Sequence, residues 1–383
     1  MKLVTRWNKS DGCLLSHVLV TGATGFVGAH VVDLLLERGI KVTGTARSQF
    51  KASAMKARRE KYGDFFSMAI TGELSAPGVF DTLVQDVDVV IHVASVSLLS
   101  SRLAFDNPAT YAELFKPVPS GTGTSDFEQD ILIPAIKGTR SILKSLEKSP
   151  SVKRVVLTSS FAAIFDKSRN PNEPYTYTSE NWNPITYEEA VLATDHVTAY
   201  RASKKLAELE AWNWVRSPSS VNANGDKIDL TVFCPPMVYG PWVHPLESLS
   251  SINASLQAHR NMVLGITSKP PGTTAWVDVR DVALAHVEAV YIQQKTSNKR
   301  FIVCSPEKSS FQQEAKMIKE AFPEWGERIT VPPSGPLPQS QTIVDGSPLT
   351  RELGIEYRSS RDCFVVLAGQ IHDQGVKEGL LVS

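Results

Sequence analysis

Cysteine, clustered histidine, excess charge and long apolar runs are all in short supply in this sequence, and each shortage removes a class of protein. The 4 cysteines, Cys13, Cys234, Cys304 and Cys363, are scattered and form no Cys-x-x-Cys pair. That spacing excludes a disulfide framework and a cysteine zinc site, and it points to a reducing compartment. The 8 histidines show no ligand spacing such as His-x-x-x-His, so metal catalysis has no support. Lys and Arg number 40 against 40 Asp and Glu, which removes any electrostatic case for nucleic acid or an anionic membrane as partner. No stretch approaches the roughly 18 apolar residues of a membrane span. The opening segment, with Lys2, Arg6, Lys9 and Asp11 interspersed, lacks the apolar centre of a signal peptide. The expectation is a cytoplasmic chain that works on a small molecule.

What is present is a chain of 383 residues, 42% of them hydrophobic, enough to bury a substantial core. Short β-rich runs at 18–20, 41–45, 87–94, 152–159 and 230–234 alternate with helical patterns. Such alternation predicts an α/β fold built on a doubly wound parallel sheet. After Pro235 the regularity weakens, and proline and glycine collect at Pro270-Pro271-Gly272 and over 332–338, as expected of a smaller C-terminal lobe interleaved with the main domain. No internal repeat and no low-complexity tract interrupts the pattern.

The most informative segment is Val18-Leu19-Val20-Thr21-Gly22-Ala23-Thr24-Gly25-Phe26-Val27-Gly28. An apolar strand running into Gly22, with Gly25 and Gly28 at intervals of three, allows a tight turn, brings backbone close to a diphosphate and packs the next helix on the strand. The diphosphate then rests on that helix's N-terminus, where unpaired amides and the dipole bind an anion without a basic side chain. Val27, Val31, Leu34, Leu35 and Ile40 continue with the spacing of a buried helical face, which sets this segment apart from an isolated glycine motif. The next strand ends in Ala46-Arg47, with Lys51 four residues on. An acid there would accept the ribose hydroxyls of NAD and repel a 2'-phosphate, so the two bases predict NADP. Taken alone they are also a solvated basic helix start.

Tyr200 and Lys204 are four apart and share one face of a helix. A phenol is a poor acid–base group near neutrality unless cations stabilise its anion, and a lysine one turn away is such a cation. On its own the pair occurs by chance in many helices. Upstream, Val155-Val156-Leu157-Thr158-Ser159-Ser160 is an apolar strand ending in hydroxyls, which it delivers to the carboxyl edge of a parallel sheet. Ser160 there either orients a substrate carbonyl toward Tyr200 or simply caps the following turn. The order of the three elements is what makes a nicotinamide-dependent reductase the leading reading.

Together with Gly44-Thr45-Ala46-Arg47-Ser48 and Trp276-Val277-Asp278-Val279-Arg280-Asp281-Val282-Ala283, these motifs resemble the extended short-chain dehydrogenase/reductase superfamily. Within it the chain is most similar to fungal ketone and aldehyde reductases of the methylglyoxal reductase type, related to plant dihydroflavonol and cinnamoyl-CoA reductases. The resemblance implies an N-terminal extension over 1–16, an NADP-binding Rossmann domain mainly over 17–235 and a substrate lobe mainly over 236–383. It implies Ser160, Tyr200 and Lys204 as the catalytic trio, with Tyr200 as proton donor when NADPH reduces a ketone or aldehyde; Tyr200 and Lys204 would also meet the nicotinamide ribose. Thr21, Gly22, Gly25, Phe26, Val27 and Gly28 would cover the pyrophosphate, and Arg47 and Lys51 the 2'-phosphate. Glu73 and Leu74 would flank the adenine, with Glu73 standing where relatives carry Asp. Pro235, Met237 and Val238 would pack on the nicotinamide.

One stretch departs from the resemblance. Residues 96–125 hold about 20 more residues than the short loop of relatives, and a loop that long is either a functional lid or disordered. A translated intron is the other explanation. Two further functions stay open. A nucleotide-sugar epimerase or dehydratase would want an acidic pair where this chain has Phe161-Ala162-Ala163, and a cofactor sensor without turnover would not need the complete trio. Phe161, Met237 and Trp242 are pocket candidates for an apolar or aromatic carbonyl compound, but for any one of them a core position is the preferred reading.

Overall fold

The computed structural model describes residues 16–94, 126–170, 172–267, 272–329 and 342–382. Nearly all of the expected N-terminal extension, the extra stretch 96–125 and the proline cluster 332–338 lie outside the described residues.

Among these residues the strands are β1 (His17–Thr21), β2 (Lys41–Ala46), β3 (Phe66–Ile70), β4 (Val89–His92), β5 (Arg154–Thr158), β6 (Tyr175–Tyr177), β7 (Asp229–Cys234), β8 (Met237–Tyr239), β9 (Trp276–Asp278), β10 (Lys299–Ile302) and β11 (Thr342–Val344). Seven of them make one all-parallel sheet in the order β3-β2-β1-β4-β5-β7-β10. The order climbs away from β1 in both directions, so the crossovers change side between β1 and β4 and leave a crevice at the carboxyl ends of those strands.

Alternation along β1 divides the core in two. Val18 and Val20 join a cluster with Val31 and Leu35 of helix Phe26–Glu37 and with Val282 and Ala285 of helix Val279–Tyr291. Leu19 joins the opposite cluster, with Ile142 and Leu146 of helix Ile133–Leu146 and Trp212 of helix His196–Arg216. A parallel sheet covered on both faces requires such continuously apolar strands. The edge strands β3 and β10 have no counterpart among the expected runs. Ile70 ends β3 half exposed and β10 opens on Lys299 and Arg300, so neither shows an apolar run of the length that marks a buried strand.

A third core, built on Trp276, Phe311, Phe364, Leu367 and Ile371, holds helices Phe311–Ala321 and Ser360–Lys377 together in the C-terminal part. Two short parallel pairs, β8 with β9 and β6 with β11, join segments far apart in sequence. Cys234, Cys304 and Cys363 are buried and unbridged; desolvation pushes the Cys304 thiol up to about 12 and raises the other two above the ordinary thiol value. No described helix is long and apolar enough to cross a membrane, and no cluster of His, Cys, Asp and Glu among the described residues could hold a metal.

Burial also keeps histidines neutral. Desolvation pushes His92, His244 and His286 down to about 4 and lowers His17 and His30. The unfolded chain binds protons on these rings below about pH 6.5. Their depressed values therefore make a stability contribution that is complete above that pH and lost as the pH falls toward 4. Asp281 opposes this by one group, because burial outweighs its bonds from Arg358 and raises its carboxyl to about 6; its contribution is lost as the pH rises toward 6. The urea midpoint should fall on acidification through this window, as the unfolding free energy drops by about 1.4 kcal/mol per pH unit for each net proton taken up on unfolding. A midpoint that holds or rises would contradict the burial of these rings as neutral groups.

Candidate active site

The carboxyl ends of β1, β2, β5 and β7 open into one cavity of about 1720 Å³. A pocket for a small ligand alone is roughly 300–1,000 Å³, so this one has room for a dinucleotide and a second molecule.

The glycine turn forms one wall. Gly22 lies at φ +68°, and a Cβ there would come within 2.9 Å of the backbone of Ala94. A Cβ on Gly28 would overlap the carbonyl of Gly22. Gly25 caps helix Phe26–Glu37 without a side-chain bond, and its first turn carries no acid. Backbone can therefore approach closely, and the helix amides face no competing carboxylate, which fits a diphosphate. Gly22, Gly25, Phe26 and Val27 line the cavity, while Thr21 and Gly28 stand behind it. Thr21 is buried; its Oγ1 shares a 2.8 Å hydrogen bond with His92 Nδ1 and accepts from the Ala94 amide at 3.2 Å, which ties β1 to β4. The ring of His92 stays neutral through desolvation and the nearby Lys204.

At the end of β2, Arg47 and Lys51 both line the cavity, and Ser48 caps helix Gln49–Ala57 by accepting from the Lys51 amide at 3.4 Å. Thr71 and Leu74 line the adjoining wall. Glu73 is exposed and off that wall, so its carboxylate is not brought to the site with Leu74.

Ser160, Tyr200 and Lys204 line the same cavity. Helix His196–Arg216 starts at Asp195, whose carboxylate accepts from the Thr198 amide at 2.8 Å, and it carries Tyr200 and Lys204 on successive turns. Lys204 Nζ lies 5.4 Å from the centre of the Tyr200 ring. Ser160 Oγ accepts from the Ala162 amide at 3.1 Å, so the serine does cap the following turn, and its hydroxyl proton is still available to donate. The Phe161 amide donates to Pro235 at 2.9 Å, which fixes the end of β5 to the end of β7. Pro235 itself is buried, and Pro236, Met237 and Val238 form the wall there.

Behind Ser160 and Lys204 lies a charge pair that sequence reasoning missed. Glu208, one turn beyond Lys204, is 0% exposed and meets Arg300 of β10 through Nε at 2.6 Å and Nη2 at 3.0 Å. Ser159 Oγ and Trp212 Nε1 also donate to this carboxylate, and Arg300 stacks over Trp182 with Cζ 3.8 Å from the ring centre. The pair thus anchors the end of β5 to the helix that carries Tyr200.

Beyond Ser160 the wall is aromatic: Phe161, Phe165, Tyr175 and Tyr177. The Tyr-Thr-Tyr alternation of β6 is the signal that could have revealed the last two. Met237 lines the cavity, as its place beside the nicotinamide implies, and Phe161 lines it too, against the preferred core reading. Trp242 does not: it is 6% exposed within the C-terminal core, its backbone held by Gln370, which is the core placement preferred for it.

A doubly wound parallel sheet with a glycine turn at its switch point defines a dinucleotide-binding α/β protein. Residues 18–113 match the NAD dependent epimerase/dehydratase family, and 120–306 match the 3-beta hydroxysteroid dehydrogenase/isomerase family. The chain is 33% identical over 367 residues to the NADPH-dependent methylglyoxal reductase GRE2 of Saccharomyces cerevisiae, covering 92% of this chain and 97% of that one. It belongs to the extended short-chain dehydrogenase/reductase superfamily. Ketoreductase azaE of Aspergillus niger is 31% identical over 364 residues, with 92% and 96% of the two chains covered. The crystal structure of yeast methylglyoxal/isovaleraldehyde reductase Gre2 complexed with NADPH matches with a TM-score of 0.78 and 31% identity, covering 95% of this chain and 100% of that one.

Proposed function

We propose that this chain is a cytoplasmic reductase that converts a small-molecule ketone or aldehyde to its alcohol with NADPH. The observation that carries the reading is the single cavity shared by Gly22, Arg47 and Lys51 with Ser160, Tyr200 and Lys204. Relatives named as an NADPH-dependent methylglyoxal reductase and as a ketoreductase, and a methylglyoxal/isovaleraldehyde reductase solved with NADPH, support it. The bound cofactor supplies the hydride. The Tyr200 phenol donates its proton to the carbonyl oxygen as charge develops there, and Ser160 donates a hydrogen bond to the same oxygen. Lys204 stabilises the phenolate left behind and, with Tyr200, meets the nicotinamide ribose.

Gly22, Gly25, Phe26 and Val27 hold the diphosphate, with Thr21 and Gly28 shaping the turn from behind. Arg47 and Lys51 take the 2'-phosphate, Leu74 the adenine, and Met237 and Val238 the nicotinamide on a backbone set by Pro235. The cofactor domain lies mainly over 17–235 and the substrate lobe mainly over 236–383, interleaved with it. The apolar turn Phe161–Ala163 after Ser160 offers no carboxylate for a sugar-nucleotide elimination.

NADPH oxidation with a panel of ketones and aldehydes tests the reading, and no turnover with any would overturn it. Joint Arg47→Ala and Lys51→Ala replacement should weaken NADPH by about tenfold to a hundredfold more than NADH. Equal losses for the two cofactors would remove these bases from the 2'-phosphate.

A further inference from the structure

Arg201 follows Tyr200 on helix His196–Arg216 and lines the same cavity, half-buried. Its guanidinium lies over the Phe165 ring, with Cζ 4.7 Å from the ring centre. Among the described residues no carboxylate forms an ion pair with it and no oxygen accepts a hydrogen bond from it. The acids nearby are committed elsewhere. Asp195 caps the helix through Thr198 and lies 3.7 Å from Lys167, and Asp166 accepts from Ser168 and pairs with Arg169 at 3.5 Å. Desolvation pulls this guanidinium below its ordinary value, against the weaker opposing pull of Asp195, Tyr177 and Tyr200. An aromatic face returns only part of what a guanidinium loses with its water, and its planar fork of donors meets no acceptor among the described residues.

The surroundings say what would match it. Phe161, Phe165 and Tyr177 pack edge to face or tilted, with ring centres 5.3 to 6.1 Å apart, and Phe161 directly follows Ser160. A second guanidinium on this wall, Arg169 over the Tyr175 ring, is already paired with Asp166 at 3.5 Å, so an apolar wall with one uncommitted fork-shaped cation beside the proton donor suits a monoanion on an apolar body. A phosphate dianion would call for a second cation beside the first.

We propose that Arg201 recognises a carboxylate on the substrate, so that the favoured substrates are oxo acids whose apolar body rests on Phe161, Phe165 and Tyr177. The carbonyl half of this statement rests on the reductase reading; the carboxylate half does not. The test compares para-formylbenzoate with its methyl ester by NADPH oxidation in wild type, Arg201→Met and Arg201→Lys. Methionine keeps an apolar stem on Phe165 and removes the charge. In wild type kcat/KM should favour the acid by at least about tenfold, and Arg201→Met should erase that ratio, with lysine between them. Because the readout is a ratio, a general loss of activity in a variant cannot imitate it.

A turnover-free arm measures binding of para-(hydroxymethyl)benzoate and its methyl ester to the NADP-loaded protein by calorimetry. The acid should bind at least about tenfold more tightly, and only through Arg201. Acid binding that depends on Arg201 without reduction of either aldehyde would uphold the carboxylate assignment and leave the reductase reading to the wider panel of ketones and aldehydes. Reduction or binding without acid preference in wild type, or a preference that survives Arg201→Met, would overturn the carboxylate assignment and leave the reductase reading intact.

Discussion

Replacing Tyr200 by phenylalanine should lower kcat by at least about 100-fold, since the variant keeps the ring and loses the only proton the mechanism assigns to the carbonyl oxygen. Dinucleotide affinity should change by no more than a few fold. The turn at Gly22 and the bases Arg47 and Lys51 are untouched, and Tyr200 contributes one hydroxyl among many contacts. Stopped-flow hydride transfer and fluorescence titration of NADPH separate the two effects. Near-normal turnover would show that the proton comes from another group, and a parallel collapse of NADPH binding would show the phenol to be a cofactor ligand first.

Glu208→Ala should destabilise the fold by about 3–5 kcal/mol, because it leaves the guanidinium of Arg300 buried without its counter-charge. The pair is closed to solvent, with side-chain exposures of 0% and 7%, so water cannot compensate as it does at a surface. Adding Arg300→Met to the same chain should recover most of the loss, since the stranded charge is then gone. Denaturant midpoints of the single and double variants measure both quantities. A single-variant loss below about 1 kcal/mol would mean that the pair behaves like an exposed one.

The contrast between these two sites shows which features a sequence makes legible. Gly22, Gly25 and Gly28 could be read because the reason for each is local: a positive φ, or a backbone that a Cβ would strike within the same turn. Tyr200 and Lys204 could be paired because helical periodicity alone brings them together. Glu208 and Arg300 could not, since 92 residues separate them and the pairing follows from β10 taking the sheet edge. That strand was itself hidden by its opening charges. Aromatic residues failed for another reason: Phe161 faces the cavity and Trp242 the lobe core, and nothing in their identity tells an enclosed void from packed protein. Glu73 and Thr21 stand off the cavity wall, a detail of side-chain placement that spacing does not carry.

Thiolates attack electrophilic carbonyl compounds, and an enzyme that spends its life among such compounds is exposed to its own substrates. Cys234, Cys304 and Cys363 lie inside the fold with their thiols held in the protonated, unreactive form. Cys304 touches the cavity wall, yet its thiol stays protonated, so among the described residues the molecules the protein is proposed to reduce meet no thiolate, and the packing that seals the cores also guards these three sulfurs from covalent damage.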